Sequence, residues 1–172
     1  MSRLGSPALA GIAFPRKFTL AGDFFCVMVD SNRGEFTMSD IQKSLEATVL
    51  KVDDSIGAVM GWAIISKIDG KPYVDSQNDH IPESTVLKSA AKFMQGKRVG
   101  KVQHTGGQAG EVTLFPLTTD IAKALGIQTQ KTGLLAWFTP SDPAILQKYR
   151  DGELTGFSIG GKAIQTEIKN IP

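Results

Sequence analysis

The apolar positions of this chain fall into short runs of two kinds. Residues 47–52 and 56–66 are rich in Val and Ile, which is how strands read. Ile68-Asp69-Gly70-Lys71 then reads as a hairpin turn, because Asp-Gly suits a two-residue loop, and it leads into a strand over 72–74. The polar stretch Asp75-Ser76-Gln77-Asn78-Asp79-His80 gives way to a helix opening near Pro82-Glu83-Ser84. There Val86, Leu87, Ala90, Ala91 and Met94 fall at helical spacing, and Gly96 suits the position just past the end. A strand over 98–104 ends on His104, and a loop, Thr105-Gly106-Gly107-Gln108-Ala109-Gly110, follows it.

The same alternation continues to the end. Residues 111–115 read as a strand, 119–125 as a short helix stopped by Gly126, and 134–138 as another strand. Ser141 or Asp142 suits the cap of the next helix, with Pro143 in its first turn and Ile145, Leu146 and Tyr149 turned inward, and the helix ends at Gly152. The run after Gly152 alternates like a strand, and 163–168 continues or pairs with it. Six or seven strands with two or three helices between them predict an α+β fold built on a mainly antiparallel sheet or barrel. Residues 1–37 read differently. They hold no acid before Asp23, and Pro7, Gly11 and Pro15 break their apolar run, so a flexible arm or removable extension is expected ahead of a folded domain over 38–172.

Composition narrows the function classes. The chain has 172 residues, enough for one domain with a sizeable core, and its net charge of +2 gives no ground for nucleic-acid binding. Lys97, Arg98 and Lys101 form a small basic cluster of the sort an exposed strand edge carries. The single cysteine, Cys26, excludes an internal disulfide and fits a reducing compartment. Cys26, His80 and His104 are too scattered for zinc, no cofactor is implied, and no apolar run has the length to span a bilayer.

The stretch that carries chemistry lies near the C-terminus. In Gly152-Glu153-Leu154-Thr155-Gly156-Phe157-Ser158-Ile159-Gly160-Gly161, one serine stands between glycines that admit a close approach. Gly156-Phe157-Ser158-Ile159-Gly160 formally matches G-x-S-x-G. The α/β-hydrolase elbow requires a helix after the serine and a later histidine, whereas only 14 residues follow Ser158 and none is histidine. A histidine-before-serine order stays open, since such sites are defined by geometry and role. His104 is then the candidate base for Ser158, 54 residues later on a strand that would neighbour it. The backbone around Ile159, Gly160 and Gly161 is the candidate oxyanion site. The plainer alternative makes Ser158 a small residue in a tight strand and His104 a loop-edge histidine.

The segment from Asp151 to Gly161 resembles the serine signature of the phage prohead (capsid maturation) serine proteases, in the branch of phage serine proteases. Val74-Asp75-Ser76-Gln77-Asn78-Asp79-His80-Ile81-Pro82-Glu83 is similar to the motif that opens the same domain, and Gly110-Glu111-Val112 and Ala124-Leu125-Gly126-Ile127 fall in the family's order. The resemblance spans roughly residues 56–163. It implies a fold like herpesvirus assemblin, a β-barrel ringed by helices, with Ser158 as nucleophile and His104 as base. It also implies an endopeptidase acting on scaffold (core) protein and the major capsid protein precursor, often with self-cleavage. The setting it implies is the immature phage head in the host cytoplasm, with a second copy of the chain as a further partner. The third member of the site is open among Glu167, Asp79 and Glu111. Each also has a plain reading, as a solvated strand face, a loop or capping residue, and a strand-start surface charge. His80 reads as a loop residue. Two rival functions are an inactive assemblin-like component of head assembly and a small non-enzymatic binding module.

Overall fold

A computed structural model of the chain describes residues 16–30, 41–43, 49–75, 78–96, 98–102 and 105–167. In order, the elements are β1 (Arg16–Asp30), β2 (Ile41–Lys43), β3 (Val49–Asp53), β4 (Ala58–Ile68), β5 (Lys71–Pro72), β6 (Asp79–His80), α1 (Glu83–Gln95), β7 (Val99–Val102), β8 (Thr105–Leu117), α2 (Thr119–Ala124), β9 (Lys131–Pro140), α3 (Pro143–Arg150) and β10 (Gly156–Glu167). The strands form one sheet in the order β2-β10-β1-β7-β8-β9-β4-β3, with β5 on β4 and β6 on β1. Pairing is antiparallel except where β1 meets β6 and β7. The architecture is thus α+β, a mostly antiparallel sheet with three helices among the described residues. The sheet is open, where the resemblance implied a closed barrel.

Short-range chemistry fixes the joints. Asp69 and Gly70 take φ of 50° and 75°, and Ile68 pairs with Lys71 across them, so this is the expected two-residue hairpin. Asp142 caps α3 by accepting from the Ala144 amide at 2.8 Å, with Pro143 opening the helix. At the end of α3 the Gly152 amide donates to the Tyr149 carbonyl and the Glu153 amide to that of Lys148, a Schellman closure. Gly126 closes α2 in the same way, with Ile127 donating to Ala122. Gly96 differs from expectation. It is extended rather than left-handed, and its amide returns to the Phe93 carbonyl.

The main core joins Val86, Ala90 and Phe93 of α1 to Val59 and Ile64 of β4, Val112 of β8, and Leu134 and Phe138 of β9. Leu146 and Tyr149 of α3 and Phe157 and Ile159 of β10 complete it. A second cluster, Trp62, Ile65, Leu117 and Ala122, buries other positions of β4 against α2. That is why β4 reads as an almost unbroken apolar run rather than an alternating one. The Phe138 ring demands glycine beside it. Gly100 and Gly110 are cross-strand partners, and a Cβ on either would stand 2.5 or 2.6 Å from the Phe138 Cε2.

Two expectations are corrected here. Residues 16–30, expected within an arm, form β1 in the middle of the sheet. The Phe24–Val29 stretch, Phe-Phe-Cys-Val-Met-Val, is rich in β-favouring residues. Residues 105–110, expected as a loop, are the first half of β8, where Gly110 leaves room for the Phe138 ring and the paired strand. Among the described residues, no helix is long and apolar enough to cross a membrane.

Candidate functional site

β10 is placed by what precedes it. The closure of α3 turns the chain so that Leu154 is buried, and Phe157 and Ile159 then enter the core at the two-residue period of a strand. Tyr149 of α3 lies against Phe157 with ring centroids 6.2 Å apart. Burial pushes the Tyr149 phenol up from its ordinary value of 10. Ser158 occupies the position between these two anchors on β10.

The register defines its neighbours. Ser158 pairs with Met28 of β1, and Met28 pairs with Lys101 of β7. One row along, Phe157 pairs with Val29, Val29 with Val102, and Val102 with Thr105 of β8. His104 lies outside the described residues, but the residues on either side of the 103–104 link, Val102 and Thr105, are on this row. They lie two and three strands from β10, about 10 and 14 Å at ~4.8 Å per strand. β10 lies between β1 and β2, and β1 stands between β10 and β7.

The other candidates are scattered. Glu167 pairs with Arg16, which also pairs with Asp79. Nine residues of continuous strand separate Glu167 from Ser158, about 30 Å at ~3.3 Å per residue, so neither acid reaches the serine. Asp79 is buried in a turn where Asp75 accepts from the Asp79 amide at 2.8 Å. Glu111 faces solvent in an ion pair with Arg98 at 3.1 Å, beside Val99 and Thr139. His80 is not a loop residue but half of β6. Its Nδ1 lies 2.9 Å from the Tyr73 carbonyl, which only accepts, so Nδ1 carries the proton. His80 also sits at the Glu167 end of the sheet, paired with Lys17. Ile159, Gly160 and Gly161, the expected oxyanion site, pair with Val27, Cys26 and Phe25 on one side and with Lys43, Gln42 and Ile41 on the other. Strands on both edges direct their amides into ladders, which speaks against that role.

Residues 45–167 match the family described as "putative phage serine protease XkdF". The chain belongs to this phage serine protease family. The matched region runs from just before β3 to the end of β10 and contains Ser158 and His104, while β1 and β2 lie outside it. No curated protein and no solved structure matches the chain. What sequence reasoning missed is β1. Its signal was the 24–29 run, which the arm-like composition before it obscured.

Proposed function

We propose that this chain is a serine endopeptidase of phage head maturation, with Ser158 as nucleophile and His104 as general base. Its substrates are scaffold protein and the capsid protein precursor, its own chain is a further target, and a second copy is its partner. It acts within immature heads in the host cytoplasm. The observation that supports this best is the setting of Ser158. It lies inside the family match, on a strand whose adjacent residues are locked into the core. An anchored backbone holds a nucleophile in one place, which is where much of the gain in such reactions comes from.

The chemistry is acyl transfer. The Ser158 Oγ attacks the scissile carbonyl carbon while the His104 imidazole takes the hydroxyl proton. The tetrahedral species expels the amine, which receives that proton from the imidazolium, and an acyl-serine ester remains. Water then attacks the ester, again giving its proton to His104, and the carboxylic acid leaves as Ser158 regains its hydrogen.

A second reading, an inactive structural component of the head, is favoured by one observation: β1 stands between the serine strand and β7. Intact mass after exposure to a fluorophosphonate separates the two. A single adduct on the wild-type chain, absent from Ser158→Ala and His104→Ala, is the expected result. No adduct on the wild type at high protein concentration overturns the protease reading in favour of the structural one.

A further inference from the structure

β7 is shorter than the strand it pairs with, and the edge it leaves on β8 is closed by other means. The pairing runs no further along β8 than Glu111 with Val99. Beyond it, the Val112 amide donates to the Arg98 carbonyl at 2.9 Å. Amides on one edge of a strand recur at every second residue, so positions 114 and 116 come next. Residue 116 is proline, which has no N–H to satisfy. The Leu114 amide, on a residue only 5% exposed, donates to the Met94 Sδ of α1 at 3.3 Å. A thioether is a weak acceptor, yet here it is the partner of a backbone donor inside the core. Met94 is itself half-buried near the end of α1, packed against the main core, with Gln95 and Gly96 exposed beside it.

We propose that Met94 is an oxidation site, and that its thioether is an oxidant-sensitive latch between α1 and β8. The oxidant is hydrogen peroxide. The sulfur attacks one peroxide oxygen, the O–O bond breaks, and the departing hydroxide takes the S–OH proton as water, leaving the sulfoxide. A sulfoxide oxygen needs about 2.9 Å of its own to the Leu114 amide, in a space the sulfur already fills, so the side chain must move outward. The oxidised group is also polar where the thioether was apolar, which opposes its return to the core. The Leu114 amide then loses its partner, and the packing of Val86, Ala90 and Phe93 on Val112 and Leu114 loosens with it. This device is independent of the serine chemistry proposed above.

The test treats the full chain with hydrogen peroxide. It reads the mass of the peptide that holds Met94, the melting temperature, and amide hydrogen exchange at Leu114. Met60, half-buried on β4 between its partners Lys51 and Trp137, is the internal comparison. On the wild type, Met94 is expected to gain one oxygen and the melting temperature to fall by about 2–4 °C. Exchange at Leu114 is expected to become about tenfold faster. Met60→Leu should respond as the wild type does. Met94→Leu, which removes the acceptor, should melt lower before treatment and fall no further after it. A Met94 that stays unmodified where free methionine is fully converted would overturn the proposal. So would an oxidised Met94 with melting and Leu114 exchange unchanged. An equal fall in Met94→Leu would assign the effect to another methionine and overturn it as well.

Discussion

The backbone amide of Val49 donates to the carbonyl of Thr155 at 3.1 Å, joining the start of β3 to the residue that leads into β10. β3 ends the strand order and β10 is next to last at the other end, so this bond ties together two strands that five others separate. It curls an open sheet toward itself just ahead of the serine. Proline is tolerated at the first residue of a strand, so Val49→Pro removes this donor with little other disturbance. The expected loss is about 1 kcal/mol by urea unfolding. An unchanged midpoint would show that the seam contributes nothing.

The glycines around Phe138 give a sharper test. At Gly100 the atoms a Cβ would strike are side-chain atoms of Phe138 and Val112, whereas at Gly110 the nearest is the Thr139 carbonyl oxygen at 2.4 Å. Either alanine substitution is expected to cost about 1–3 kcal/mol. Phe138→Leu should restore part of the loss for Gly100→Ala and little for Gly110→Ala, because a backbone oxygen does not repack. A double-mutant cycle on both pairs measures this, and equal coupling would refute the assignment.

Glu83 links α1 to α2. Its carboxylate accepts from the Thr119 amide at 2.7 Å and meets the Lys67 ammonium at 2.8 Å. Burial opposes its ionised form, but the Lys67 ammonium and the hydroxyl and amide of Thr119 prevail and hold the carboxyl below its usual 4.5. A depressed folded-state pKa stabilises the protein above the unfolded value, and that contribution disappears as pH falls through the folded one. Wild type should therefore exceed Glu83→Gln in melting temperature near neutral pH, with the gap closing as pH falls below the ordinary carboxyl value of 4.5 and through the lowered folded one. A gap independent of pH would mean that the charge is not what matters.

Among the described residues, the buried hydroxyl of Tyr149 has no hydrogen-bond partner. Burying a hydroxyl without compensation is unfavourable, so Tyr149→Phe should raise stability by about 1 kcal/mol. The ring stays against Phe157, and a lower urea midpoint in the variant would contradict this.

The features legible in the sequence are those decided within a few residues. Asp69-Gly70 makes its turn, Asp142-Pro143 opens α3, and Gly126 and Gly152 end their helices, because backbone sterics and capping act locally whatever surrounds them. The serine segment was legible for a similar reason, since its glycines and alternating apolar residues are one continuous stretch. Strand order was not. A two-residue period says that Phe157 and Ile159 share a face, but not which strand Ser158 will lie beside. Only the folded sheet placed Met28 there and carried Glu167 and Asp79 to the opposite end. Those positions follow from pairings between segments far apart in sequence, 63 residues for Arg16 with Asp79 and more than a hundred for β1 with β10. Such pairings form because the whole apolar surface is buried at once, and no local pattern encodes that choice.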